Sequence, residues 1–244
     1  MTTFQAVKLD RVTPRSVATR AKLIAVAERL FALRGIEAVS LNEINRAGGQ
    51  RNSNACQYHF GSKEGLLQAI RDKHLLAIVA RRNEMIDRME VAGRYDLREA
   101  VRAFVYPVAE QLGDPDGGKE FIRINAQLIV PHSLVVNQAE ATMPLRTPGT
   151  DRLARVLRSA MSEFELPEPI LQQRLLLAAM LLFHGLADHS QMLEAARQKD
   201  PAIDTELFVH DLEDSIVALL SAPLSASTAA RLEQLKVQQL AEKN

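Results

Sequence analysis

The chain has 244 residues, of which 47% are hydrophobic and 25% charged, with one cysteine and a net charge of +0. That is enough apolar material for a sizeable core in one large domain or two modest ones, and a single cysteine excludes an intrachain disulfide or a cysteine-rich metal site. Tryptophan is absent, aromatics are 5%, and helix-favouring Ala, Leu, Glu, Arg and Gln recur, so an all-α fold is expected.

The first residues, MTTFQAVKLDRVTPRS, are polar with no apolar run of signal-peptide type, and no later stretch reaches eighteen apolar residues without charge. A cytoplasmic protein without membrane attachment is expected. Charge is uneven: residues 1–65 hold ten basic and five acidic residues, a net +5, so residues 66–244 carry −5. A basic first segment suits a polyanionic partner.

After a polar arm with Arg11, Arg15, Arg20 and Lys22, which could meet the phosphates of such a partner, residues 18–34 place Leu23, Ile24, Ala27, Leu30 and Phe31 on one helical stripe. Gly35 ends that helix. Ser40 then opens a second, SLNEINRA, in which Glu43 completes a capping-box pattern and Leu41 and Ile44 face inward. Gly48 and Gly49 permit a sharp turn, and residues 51–58 read as a third short helix. Ser62 caps a fourth, which runs to about Met89. Further helices are expected at 96–113, 118–130, 149–164, 168–197, 204–221 and 225–242, with breaks at Gly113–Gly118, Pro144–Gly149, Pro167 with Pro169, Asp200-Pro201 and Pro223.

Residues 47–61, AGGQRNSNACQYHFG, hold a polar run followed by an aromatic cluster. Two short helices joined by a glycine turn, the first apolar inside and the second polar outside, make a helix-turn-helix. Its second helix enters the DNA major groove, where Arg bonds guanine bidentately and Asn or Gln does the same to adenine. Gln50, Arg51, Asn52, Ser53, Asn54 and Gln57 are chemically suited to that task. Phe60 and the single cysteine, Cys56, are expected to be buried.

Residues 19–67, TRAKLIAVAERLFALRGIEAVSLNEINRAGGQRNSNACQYHFGSKEGLL, resemble the N-terminal DNA-binding domain of the TetR (tetracycline-repressor) family of transcriptional regulators. The resemblance is carried by Ala27, Leu30, Phe31 and Gly35 of the first helix, by SLNEI, and by HFGSKEGLL. In two places the sequence departs from the usual pattern. Gln57 stands where a tyrosine is common, with Tyr58 beside His59, and the stretch from the turn glycine to Phe60 is about one residue longer. The resemblance implies DNA contact by Ser40, Gln50, Arg51, Asn52, Ser53, Asn54, Gln57, Tyr58, His59 and Lys63, with Tyr58 and Lys63 on phosphates.

It further implies two domains: residues 1–65, an arm and three-helix DNA-binding domain, and residues 66–244, a helical domain that binds a small-molecule effector and forms a homodimer. Segment 170–193 is apolar on most of its circumference, which suits a four-helix dimer interface with 205–221. Candidates to line the effector pocket are Phe104, Phe121, Arg123, Gln127, His132, Phe183 and His184, and an apolar or amphipathic effector fits their company. No cofactor or metal is implied: His184 and His189 lack the spacing of a helical two-histidine site, and no nucleophile–base pair suggests an enzyme. The expected function is a ligand-responsive repressor on a palindromic double-stranded DNA operator. The alternative is a helical, ligand-responsive protein-interaction module without DNA binding, and salt dependence of DNA binding separates the two.

Overall fold

The computed structural model describes residues 13–133, 150–195 and 204–241. All regular elements among them are helical, as expected. Ten α-helices follow in order: α1 (Pro14–Arg34), α2 (Leu41–Ala47), α3 (Ala55–Phe60), α4 (Lys63–Ala92), α5 (Leu97–Ala109), α6 (Gly118–Ser133), α7 (Thr150–Ala160), α8 (Glu168–Ala195), α9 (Thr205–Ser221) and α10 (Ala226–Ala241). Short 3-10 turns extend α5 and α7. The breaks expected at Pro144–Gly149 and Asp200-Pro201 lie outside the described residues.

The helix starts follow side-chain chemistry. Ser62 accepts from the Gly65 amide at 3.1 Å at the head of α4, Asp96 from Glu99 at 3.2 Å at α5, and Asp204 from Leu207 at 2.9 Å at α9. Each satisfies an amide that has no partner within its helix. The first helix starts earlier than its apolar stripe predicts. Thr13 accepts from the Ser16 amide at 3.2 Å, and Pro14 occupies the first helical position, where a missing amide hydrogen costs nothing. Arg15, Arg20 and Lys22 therefore project from a helix rather than an arm, while Arg11 lies outside the described residues.

Two apolar clusters form. The smaller joins Leu23, Ile24, Phe31, Ile44 and Cys56 from α1–α3 with Leu66 and Ile70 of α4 and Ile124 of α6. The larger packs α4, α5 and α7 with α6, α8 and α9 around Ile86, Val101, Ile122, Val156, Leu182 and Ile216. Helix α4 belongs to both, so the two lobes share a rigid element. Helix α8 is long and apolar enough to cross a membrane by length and composition, a test that the core helix of a soluble protein also passes. Here Ala178, Leu182, Phe183 and Leu186 lie within the larger cluster. Helix α10 meets the turn before α8 across a cavity of about 260 Å³ lined by Pro167, Leu224, Ala229, Leu232 and Lys236.

Candidate nucleic-acid interface

Helix α2 is fixed by its capping box. The Ser40 hydroxyl accepts from the Glu43 amide at 3.3 Å, and the Glu43 carboxylate accepts from the Ser40 amide at 2.9 Å. Arg34 adds an ion pair at 3.0 Å. The Ser40 bonds and Arg34 hold the Glu43 carboxyl down at about 2. Ile44 is buried and Leu41 half-buried, so α2 lies on the small core by one face.

The turn after α2 differs from the sequence expectation. The third helix begins at Ala55, not at residue 51, and Gln50, Arg51, Asn52, Ser53 and Asn54 belong to the preceding turn. The physical reason is local hydrogen bonding by asparagine, which offers the backbone an alternative to helix. Asn52 Oδ1 accepts from the Asn54 amide at 2.9 Å, and the Asn52 carbonyl from the Ala55 amide at 3.2 Å. From α2, buried Asn45 clamps the same segment, donating through Nδ2 to the Ser53 carbonyl and accepting the Cys56 amide at 2.9 Å. Gly49 takes φ +64°, a left-handed conformation that glycine adopts freely. The segment before Ala55 is thus a built turn, and α3 has only six residues.

Outward from this frame, Arg51, Asn52, Ser53, Asn54, Gln57 and Tyr58 are exposed. Gln50 bonds the Gly48 carbonyl at 3.1 Å. Among the described residues, no internal hydrogen bond engages the side chains of Arg51, Asn54 or Gln57. Tyr58 is 68% exposed, a large aromatic held in water, and its ring meets His59 edge-on at 5.1 Å. His59 and Phe60 are half-buried. Phe60 is therefore not core as expected: it packs against the small cluster and carries the Arg20 guanidinium 5.1 Å above its ring. Lys63 opens α4 beside this surface, its ammonium 6.0 Å from the Phe31 ring centre. Cys56 is buried, and burial pushes its thiol up to about 11, so it behaves as a small apolar residue.

This surface is a polar, partly cationic edge on a stiff frame, the arrangement a base-reading helix-turn-helix needs. Residues 23–70 match the family profile described as bacterial regulatory proteins, tetR family. The match shows that this segment is similar to the DNA-binding part of tetR-family regulators. Proteins of that family are transcription regulators, and the matched segment contains the residues from Arg51 to Lys63 described above. Similar solved structures include a TetR-family regulator from Marinobacter aquaeolei VT8, 18% identical over 82% of this chain and 96% of that one, with a TM-score of 0.47. Others are a TetR-family regulator from Rhodococcus sp., 17% identical over 84% and 100% of the two chains at a TM-score of 0.46, and a gamma-butyrolactone receptor, ArpA-like, 21% identical over 94% and 100% at 0.38. No curated protein matches the sequence.

Behind the surface lies a joint that sequence reading overlooks. Glu28 of α1 is 1% exposed, yet accepts from Lys73 Nζ at 2.9 Å and meets His74 Nε2 at 2.8 Å. The other ring nitrogen of His74 faces Gln111 Oε1 at 3.2 Å and Asp114 Oδ2 at 3.6 Å. Lys73 also reaches Asp116 at 2.9 Å. A side chain on Gly117 would stand 2.6 Å from Glu28 Oε2, which explains the glycine. Gln127 of α6 adds a second tie, accepting from the Ile36 amide at 2.9 Å and donating to the Phe31 carbonyl at 3.1 Å. The signal in the sequence is a charged residue on an apolar stripe: Glu28 falls between Ile24, Ala27 and Phe31 at helical spacing.

The remaining candidates for the effector pocket occupy varied settings. Phe104, Phe121 and Phe183 are buried in the larger cluster, and Phe121 lies 4.7 Å from the His74 ring. Arg123 donates to Ser190 Oγ at 2.8 Å and pairs with Glu194 at 2.7 Å, joining α6 to α8. His184 keeps Nε2 buried with no partner. The side chain of His132 lies outside the described residues.

Proposed function

We propose that the protein is a homodimeric, effector-responsive repressor that reads a palindromic double-stranded operator. The observation that carries this reading is the exposed set Arg51, Asn52, Ser53, Asn54, Gln57 and Tyr58 mounted on the Asn45-clamped turn, chemically matched to base edges, with no internal bond among the described residues to the side chains of Arg51, Asn54 and Gln57. Gln50, Asn52, Ser53 and Gln57 join Arg51 and Asn54 as base-edge or sugar contacts. Ser40, Tyr58, His59 and Lys63 serve the phosphates. The reader comprises residues 1–65, and residues 66–244 form the effector-binding and dimerisation domain of a cytoplasmic protein.

Dimerisation through α8 and α9 is supported by apolar side chains left in water on those helices: Leu177 at 48% exposure, Met192 at 53% and Leu207 at 69%. A second copy covering them would place two readers on one duplex face. Effector binding in the larger lobe then acts on the readers through α4 and α6, which hold α1 by the Glu28 cluster and by Gln127. A changed separation of the two readers no longer matches both half-sites, which is the differential contact that coupling requires.

The test is selection of bound sequences from a random duplex library by the purified protein at two salt concentrations. Enrichment of an inverted repeat, with affinity falling steeply as salt rises, is the expected result. A folded protein that enriches nothing at either salt overturns the DNA-reading proposal and favours the protein-interaction alternative.

A further inference from the structure

Helix α6 packs against both α1 and α8, and it holds each by a different side chain. Ile124 of α6 is buried in the small cluster with α1–α3, whereas Phe121, Ile122, Ala126 and Ile129 belong to the larger cluster with α8. Arg123 and Gln127, four residues apart, lie one above the other on this helix. Both are candidates for the effector pocket by sequence, yet both are engaged elsewhere.

Gln127 grips the end of α1. Its Oε1 accepts from the Ile36 amide at 2.9 Å, and its Nε2 donates to the Phe31 carbonyl at 3.1 Å. The Gly35 amide shares that carbonyl at 3.0 Å, so Gln127 closes the turn that leads from α1 towards α2. A primary amide can donate and accept at once, whereas a carboxylate of the same length would set an oxygen against the Phe31 carbonyl.

Arg123 grips α8. Its Nε donates to Ser190 Oγ at 2.8 Å, and its Nη2 lies 2.7 Å from Glu194 Oε2 as an ion pair out of line with its N–H bonds. Ser190 is fully buried and donates in turn to the Ala187 carbonyl at 2.7 Å. Between Ser190 and Glu194 stands Met192, on the exposed apolar face where the second copy is placed above. About 6 Å of helix therefore separates a hold on the reader's backbone from a hold on α8.

We propose that Gln127 and Arg123 are positioning residues that fix the reader lobe against α8 and thereby set the half-site spacing the dimer accepts. The inference rests on the dimeric DNA-reading proposal above and names residues that decide spacing rather than base sequence. Successive base pairs lie about 3.4 Å apart along the duplex and turn around it about every 10. A small swing of each reader on α6 thus changes the spacing that fits, while the contacts within one half-site move with the reader as a unit.

The experiment takes the half-site selected by the wild-type protein and builds duplexes with one copy, or with two inverted copies whose spacer varies by single base pairs. Affinity of the full chain for each duplex is measured. Wild type is expected to prefer one spacing. Gln127→Glu and Arg123→Met are each expected to bind the one-copy duplex within about twofold of wild type, to lose about tenfold at the wild-type spacing, and to accept neighbouring spacings. Should Gln127→Glu not fold, Gln127→Met removes both bonds without adding a charge and reads the same profile. An unchanged spacing profile in the folded variants, or equal losses on one-copy and two-copy duplexes, overturns the tie, because a merely structural role weakens both duplexes alike. If wild type enriches no inverted repeat, the DNA-reading proposal falls and the tie with it. An inverted repeat of fixed spacing that every variant keeps removes only the tie.

Discussion

The turn at residues 50–58 and the joint around Glu28 are both rich in polar side chains, yet they use them in opposite ways. In the turn, backbone needs are met by Asn45 and Asn52, which leaves Arg51, Asn54 and Gln57 facing water. At the joint, Glu28, His74 and Gln111 are all buried and face one another. Exposed polar groups exchange water for a ligand at little cost, so they suit recognition. Buried paired ones are costly to separate, so they fix how one element sits on another.

That contrast is most severely tested at the joint. Glu28→Ala leaves His74 and Lys73 facing an empty place, and a loss of about 3–5 kcal/mol is expected from breaking a buried pair, read by urea unfolding. A loss no larger than that of an exposed ion pair would mean that the joint holds nothing. Asn45→Ala should cost about 1–3 kcal/mol by stranding the Cys56 amide and the Ser53 carbonyl, and it should blur operator choice as the turn relaxes.

At the surface the expected effects fall on DNA rather than on folding. Arg51→Ala or Asn54→Ala should reduce discrimination between operator and random duplex by about 1–3 kcal/mol with unfolding midpoints unchanged. If unfolding shifts while discrimination holds, the two regions have been assigned the wrong duties. Lys63→Ala should weaken binding to all sequences alike and flatten the salt slope by about one.

The smallest effect concerns the capping box. The Glu43 carboxyl is lower in the folded state, near 2 against an ordinary 4.5, mainly because it accepts from the Ser40 amide. A depressed folded value means that its stabilisation is complete above the ordinary value and is lost as pH falls from there towards 2. Acid titration of α2 helicity should therefore differ between wild type and Glu43→Gln above that window and converge below it.

Much of this was legible beforehand because the signals are local. The capping box at Ser40 and Glu43, the Ser62 cap and the apolar stripe of α1 are short-range patterns that a helix reports within one or two turns. The start of α3 is not a local signal, because Asn45, ten residues upstream of Ala55, decides it through bonds that span the turn. Phe60, expected to be buried, is half-buried because Arg20 of α1 rather than core covers its ring at the lobe's edge.

The sequence by itself determined the helical class, most helix positions and the family resemblance at residues 19–67, since helical periodicity, capping and a fixed motif order are written along the chain. Only the tertiary structure decided that Glu28 meets His74, forty-six residues away, and that Gln127 bonds the Ile36 amide and the Phe31 carbonyl. Such pairings depend on which helix faces arrive opposite each other, and that is settled by packing between segments distant in sequence.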